Sequence, residues 1–98
     1  MVVRDYEALY IIRPDLDEEA TDAVIERYNE AIARLGGVVT KTDKWGKRRL
    51  AYEIRDQLEG FYVLMTFQAP NEASRELDRL MRIADEVLRH LIVRLDED

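Results

Sequence analysis

VVTKTDKWGKRRLAYEI (Val38–Ile54) and FYVLMTFQA (Phe61–Ala69) are two strand-like segments with no helix between them. Both are rich in β-branched and aromatic residues, which favour extended backbone. Gly46 interrupts the first segment, which predicts a bulge where the inward and outward positions change phase. The polar residues Arg55–Gly60 predict a hairpin connection of intermediate length. The middle of the chain is therefore expected to form a β-hairpin.

A strand and a helix precede this hairpin. Tyr6–Ile12 is rich in tyrosine and isoleucine, which predicts a first strand that Pro14 ends. Asp15 and Asp17 are both plausible N-caps of the helix, and Gly36–Gly37 suit the positive φ angles of its C-terminus. An apolar stripe between them recurs at intervals of three and four residues and consists of Val24, Ile25, Tyr28, Ala31, Ile32 and Leu35.

A second helix and a fourth strand follow the hairpin. Pro70 stops the preceding strand, and Asn71 can cap the helix. The apolar stripe of this helix consists of Ala73, Leu77, Leu80 and Met81. Val87–Leu95 predicts a strand that is apolar in both phases, so the sequence leaves open the face on which His90 lies. The chain then becomes acidic at Asp96–Asp98.

The order of elements is strand, helix, strand, strand, helix, strand. This order predicts an α+β fold of the ferredoxin-like type, in which a four-stranded antiparallel sheet carries both helices on one face. We expect residues 1–98 to form a single domain of this type. The other face of the sheet would carry Leu9, Ile11, Tyr62 and Leu64. Either a partner covers these apolar side chains, or long neighbouring side chains shield them.

Composition excludes several classes of protein. The chain has 98 residues, a net charge of −6 and no cysteine, which excludes disulfides, thiol catalysis and cysteine-ligated metal centres. Its hydrophobic fraction of 47% argues against intrinsic disorder. The longest apolar stretches, Ala8–Ile12 and Phe61–Met65, are too short to span a membrane, and the N-terminus does not resemble a signal peptide. We therefore expect a soluble cytoplasmic protein without a membrane partner.

Residues typical of an active site are scarce. His90 is the only histidine and Ser74 the only serine, and a histidine among apolar strand residues is more often structural than catalytic. One histidine with scattered carboxylates shows no metal-ligand spacing. The turn Pro14–Asp17 before the first helix is acidic and would repel phosphate. The sequence therefore predicts no enzyme, no cofactor, no metal site and no small-molecule substrate.

Positive charge is concentrated in Lys41–Arg49. Five of these nine residues are cationic and only Asp43 opposes them, which leaves ten cations against twenty anions in the rest of the chain. The five are Lys41, Lys44, Lys47, Arg48 and Arg49. Trp45 lies among them, where an indole can stack on a base. The segment suits contact with the phosphate backbone of RNA, although lysine and arginine also protect strand edges from aggregation. A second, weaker basic set comprises Arg4, Arg82, Arg89 and Arg94.

The run WGKRRLAYEI (Trp45–Ile54) resembles the hallmark second strand of the bacterial small-subunit ribosomal protein six family. The glycine, the double arginine and the Leu-Ala-Tyr sequence make this motif specific. Weaker matches follow in order along nearly the whole chain: Tyr6-Glu7, Arg13-Pro14, Tyr62–Met65, Ala69-Pro70, and Arg82 followed by Asp85, Val87 and Arg89.

This resemblance implies a ribosomal protein without catalytic activity. It also implies a heterodimer with small-subunit ribosomal protein eighteen, which binds the central domain of small-subunit ribosomal RNA. Together with the charge pattern, it predicts RNA binding by Arg4, Lys44, Lys47, Arg48, Arg49, Arg89 and Arg94. The partner-binding residues are predicted to be Leu9, Ile11, Trp45, Tyr62 and Leu64. Leu50, Ala51 and Tyr52 match positions that we interpret as mainly structural, beside the partner surface.

A function of a different class uses the same apolar face. A ferredoxin-like interaction or regulatory domain could self-associate through Leu9, Ile11, Tyr62 and Leu64. That hypothesis leaves the charge of Lys41–Arg49 unexplained. An enzyme ranks third, since it would need a pocket that encloses His90 with two carboxylates.

Overall fold

The structure, a computed structural model, describes residues 2–95 and packs two helices against a four-stranded sheet. The elements in chain order are β1 (Val3–Ile12), α1 (Glu18–Arg34), β2 (Val38–Ile54), β3 (Gln57–Pro70), α2 (Asn71–Ile83) and β4 (Val87–Arg94). The strands are arranged β2-β3-β1-β4, and every neighbouring pair is antiparallel. The predicted ferredoxin-like fold is confirmed. The acidic segment 96–98 lies outside the described residues, and within the described range neither helix is long and apolar enough to cross a membrane.

The core lies between the two helices and one face of the sheet, which we call the inner face. On β1 this face carries Tyr6, Ala8, Tyr10 and Ile12, each at most 4% exposed. Their partners on β3 are Phe67, Met65, Val63 and Phe61. The largest buried side chains from the helices are Tyr28, Ile32, Leu77 and Met81. The apolar stripes predicted for both helices therefore face the sheet and exclude water from one side of it.

The two helices begin differently. The carboxylate of Asp17 accepts the backbone N–H of Ala20 at 2.8 Å and caps α1, whereas Asp15 pairs with Arg13 instead. The prediction that Asn71 caps α2 is wrong, because Asn71 is already the first helical residue and Pro70 precedes it without a side-chain cap. The Asn71 amide oxygen instead accepts a hydrogen bond from the Tyr6 hydroxyl at 3.2 Å, which ties α2 to β1.

The connection between β2 and β3 is shorter than the sequence predicts. β3 begins at Gln57 rather than at Phe61, so the turn consists of only Arg55 and Asp56, with φ angles of 46° and 66°. A two-residue hairpin turn of type I′ needs positive φ at both central residues, and glycine is a usual signal for it. This turn contains no glycine, which is why the sequence suggested a longer loop. The bulge predicted at Gly46 is confirmed by its φ of 87° and by a register shift after Lys44.

The tip of the β2–β3 hairpin bends over the end of the central strand. The register shifts after Arg49, and Leu50 turns inward until it is 7% exposed. A Cβ added to Gly60 would lie 2.2 Å from Ile11 Cγ2 and 3.5 Å from Leu50 Cδ2, so both side chains pack directly on this glycine. Arg55 donates a hydrogen bond to the carbonyl oxygen of Val87 on β4. The tip is therefore joined to both β1 and β4.

Gly60→Ala is expected to lower the free energy of unfolding by about 1–3 kcal/mol, because the new methyl group overlaps the Ile11 side chain. Ile11→Ala removes the overlapping methyl, so the double variant should lose less than the sum of the two single variants. Urea unfolding of the four proteins measures this coupling. Additive losses would show that the two residues do not constrain each other.

Asp17→Ala is expected to destabilise the protein by about 1 kcal/mol, because the Ala20 N–H loses its acceptor at the start of α1. Asp15→Ala removes an equal charge two residues earlier and should cost less, since Asp15 makes an exposed ion pair and no cap. Asp17→Ser should keep most of the stability. Thermal unfolding followed by circular dichroism compares the three variants, and equal effects at positions 15 and 17 would contradict the assignment of the cap.

Candidate nucleic-acid and partner interface

The sheet face turned away from the helices, which we call the open face, has an apolar centre. Leu9 pairs with Leu64 on β3 and with Leu91 on β4, so three adjacent strands each contribute one leucine to a single row. Leu91 is 61% exposed, and the other two leucines are half-buried. We call these three residues the leucine row. It runs across the strands at the middle of the open face.

Toward the hairpin tip, the open face becomes aromatic and basic. The rings of Trp45 and Tyr62 stack with centroids 6.3 Å apart and an interplanar angle of 11°. The Trp45 indole N–H donates to the Asp43 carboxylate at 3.2 Å, which fixes the orientation of the ring. The guanidinium of Arg48 lies 4.9 Å from the indole centroid on this stack. The bulge at Gly46 makes the stack possible, because it places Trp45 opposite no residue of β3.

Arg89 has a similar arrangement near the other edge of the sheet. Its guanidinium lies 5.6 Å from the ring centroid of Tyr52, which is 59% exposed at the hairpin tip. An aromatic ring attracts a guanidinium and restricts its position while leaving its N–H edges able to bind a phosphate or a carboxylate. Arg48 and Arg89 are therefore two guanidinium groups that aromatic rings orient at the rim of the open face.

The opposite end of the open face is acidic. Asp5 and Glu7 lie on the same face of β1 as Leu9, because side chains alternate along a strand. Asp5 accepts a hydrogen bond from the Gln68 side chain at 3.0 Å. Along its length, the open face thus changes from carboxylates through the leucine row to stacked aromatic rings and arginines. A molecule lying on this face would meet the three environments in that order.

The structure gathers most of the predicted partner-binding residues. Leu9, Tyr62 and Leu64 are half-buried neighbours on the open face, and Trp45 beside them is 36% exposed. Ile11 lies on the same face but is only 7% exposed, because it packs on Gly60 beneath the hairpin tip. Shielding by neighbouring side chains therefore applies to Ile11, while the leucine row is left accessible.

The basic segment Lys41–Arg49 is divided between the two sides of the sheet. Lys44 and Lys47 line a cavity of about 430 Å³ beside the start of α1. The Lys44 ammonium lies 2.8 Å from Asp22, and this hydrogen-bonded carboxylate raises the pKa of Lys44. Arg48 lies on the open face, and Arg49 is exposed next to it. The sequence suggested one basic arm, but strand alternation points successive cations in opposite directions.

The second basic set is also divided. Arg89 is opposite Ile11, near the hairpin tip. Arg4 and Arg94 line a pocket beside Asn71 at the other end of the sheet. Arg4 and Ile11 are seven positions apart on β1, which corresponds to about 23 Å along the strand. These arginines therefore cannot belong to a single compact patch.

The strand register shows on which face of the sheet two residues of β4, Leu91 and His90, lie. Leu91 is part of the leucine row, but no sequence pattern indicated its face, because β4 is apolar in both phases. His90, opposite Tyr10, faces α2, and its Nε2 lies 2.8 Å from Asp78 Oδ1. This contact assigns His90 to the inner side of the sheet. Tyr52, which we interpreted as structural, is exposed and holds Arg89, whereas Leu50 is buried as expected.

Comparisons with known proteins agree on one family. The family model described as Ribosomal protein S6 matches residues 5–94. Small ribosomal subunit protein bS6 of Carboxydothermus hydrogenoformans is 52% identical over 96 residues, which cover 98% of this chain and 100% of that protein. The protein of the same name from Exiguobacterium sibiricum is 53% identical over 92 residues, which cover 94% of this chain and 97% of that protein.

A solved structure supports the same relationship. The crystal structure of 30S ribosomal protein S6 from Thermotoga maritima matches with a TM-score of 0.89 at 32% sequence identity. The match covers 96% of this chain and 89% of that chain. The chain therefore belongs to the ribosomal protein S6 family, a family of small-subunit proteins of the cytoplasmic ribosome.

Proposed function

We propose that this protein binds the central domain of small-subunit ribosomal RNA together with small-subunit ribosomal protein eighteen, and that its role is structural rather than catalytic. One observation carries the proposal. The open face presents an accessible leucine row next to two arginines that aromatic rings hold in place. Such a surface suits a protein partner at its centre and a phosphate backbone at its rim.

The chemistry of the open face favours a basic partner with an apolar docking surface. Apolar side chains of the partner would cover Leu9, Leu64 and Leu91, which removes exposed apolar area from water. Basic side chains of the partner would meet Asp5 and Glu7 at the acidic end. Charge complementarity of this kind fixes the orientation of a complex more than it raises the affinity.

RNA binding by the protein alone should be weak. Its net charge is −6, and the affinity for RNA grows with the number of phosphates that are neutralised. Lys47, Arg48 and Arg49 supply the proposed contacts at the hairpin, whereas Lys44 already has Asp22 as a partner. A basic partner adds positive surface and orders the RNA, so the two proteins should bind cooperatively.

Binding to a central-domain RNA fragment, with and without protein eighteen and over a range of salt concentrations, tests the proposal. We expect tight binding only when both proteins are present. The affinity should then fall by roughly 0.7–0.9 log units per log unit of salt for each phosphate contact. Equal affinity with and without the partner would contradict the cooperative mechanism.

Arg48→Ala combined with Arg49→Ala is expected to weaken RNA binding by the heterodimer and to reduce its salt slope by roughly 1.4–1.8, because two phosphate contacts are lost. The matched control is Arg27→Ala combined with Arg34→Ala, which removes the same charge from α1 and should have little effect on the slope. Filter binding measures both slopes. An equal reduction in both double variants would show that net charge, not the hairpin, determines binding.

Leu91→Ala is expected to weaken heterodimer formation about tenfold, because the exposed apolar contact at the β4 end of the leucine row is lost. The stability of the isolated protein should change little, since Leu91 is 61% exposed. Ile83→Ala is the control, because Ile83 is 67% exposed at the end of α2 and lies away from the open face. Isothermal titration calorimetry with protein eighteen compares the two variants, and equal affinities would exclude the leucine row from the interface.

The leucine row also suits the second candidate function, self-association through the open face. Sedimentation equilibrium of the isolated protein tests it. A dimer at micromolar concentration that Leu91→Ala dissociates, together with no RNA binding, would favour this candidate over the ribosomal heterodimer.

A further inference from the structure

A groove between α2 and the edge strand β4 has a charge opposite to that of the protein as a whole. Its volume is about 720 Å³, and three arginines line it, namely Arg75, Arg82 and Arg94. Among the lining residues in the described range 2–95, Asp78 is the only carboxylate, although the protein has a net charge of −6. Asn71 and Ser74 add polar groups to its wall. The groove therefore concentrates positive charge and hydrogen-bond donors in one concave surface.

The spacing of the arginines suits an extended polyanion. Arg75 and Arg82 lie seven residues apart on one helix, which corresponds to about 10 Å along the groove. A nucleic-acid strand places roughly three phosphates over that length. Arg94 lies at one end of the groove and also lines the adjoining pocket that contains Arg4. Arg4 and Arg94 thus lie beside the start of α2, where Glu72 also lines the adjoining pocket.

Asp78 limits the positive charge of the groove. Its carboxylate accepts a hydrogen bond from Arg82 and lies 2.8 Å from His90 Nε2. These two hydrogen bonds lower the pKa of Asp78, so the carboxylate is ionised at neutral pH. Arg75, in contrast, is exposed and has no carboxylate within ion-pair distance among residues 2–95. Arg75 is therefore the groove arginine best placed to bind an external phosphate.

We propose that the groove between α2 and β4 is a second RNA-binding surface, which holds the phosphate backbone of an RNA segment different from the segment at the hairpin. This inference rests on the proposed RNA-binding function and extends it. Arg94 is opposite Tyr6, whereas Arg48 is opposite Gly60 beyond Ile12, so these two arginines lie about 20 Å apart along the sheet. One protein would thus connect two RNA segments.

The matched pair Arg75→Ala and Arg79→Ala tests the groove. Both variants remove one arginine from α2, but Arg79 pairs with Glu76 at 2.7 Å and does not line the groove. In the complex with protein eighteen, Arg75→Ala should weaken binding to the central-domain RNA fragment about tenfold and reduce the salt slope by roughly 0.7–0.9. Arg79→Ala should change neither quantity. Equal behaviour of the two variants would overturn the proposal.

Two further measurements separate this inference from the proposed function. Asp78→Asn removes the carboxylate of the groove with little change in shape, so a folded variant should bind the RNA more tightly. In hydroxyl-radical footprinting, Arg75→Ala should lose protection at nucleotides other than those lost with Arg48→Ala and Arg49→Ala. If the hairpin variants weaken binding and Arg75→Ala does not, the groove is excluded while the proposed function stands. If the wild-type heterodimer does not bind the RNA, both fail.

Discussion

The central strand β1 is apolar along its inner face and, at Leu9 and Ile11, on its open face as well, whereas the two helices cover only the inner face. Its inner residues Tyr6, Tyr10 and Ile12 are buried by α1 and α2. On the other face, Leu9 aligns with a leucine on each neighbouring strand, and neither α1 nor α2 lies above them. Because the helices cover only the inner face, apolar side chains on the open face remain accessible to a partner. Burying them costs little conformational entropy, because the sheet already holds these side chains in a rigid array. The organisation of the open face depends on this asymmetry.

The hairpin tip determines how much of that surface stays accessible. Gly60 has no side chain, so Ile11 and Leu50 can pack against its backbone and close one end of the open face. The same bend brings Tyr52 beneath Arg89 and joins Arg55 to β4. The contacts that stabilise the tip therefore also orient an arginine. Stability and the proposed recognition chemistry are coupled at this end of the sheet, since a loss of the bend would remove both.

The distribution of charge is more informative than the net charge of −6. Carboxylates within the protein pair with Lys44 and Arg82. These two cations therefore contribute less to the binding of an external anion than unpaired cations would. Aromatic rings, in contrast, hold Arg48 and Arg89 without neutralising them. Affinity for RNA depends on the phosphates that are actually neutralised, and a protein with few available cations needs a second basic surface or a basic partner to reach useful affinity. Both solutions are compatible with this fold.

The residue types and their periodicity were enough to predict the element order, the inner faces of both helices, β1 and β3, the bulge at Gly46 and the resemblance carried by Trp45–Ile54. These features depend on local periodicity and on residue types, which are visible without knowing what pairs with what. Only the folded chain reveals the tight turn at Arg55–Asp56, the burial of Ile11, the membership of Leu91 in the leucine row and the division of the basic segment. Each of these features depends on the register between strands or on packing between distant segments. The sequence of β4 is apolar in both phases, so it carries no local signal that fixes the register of this strand.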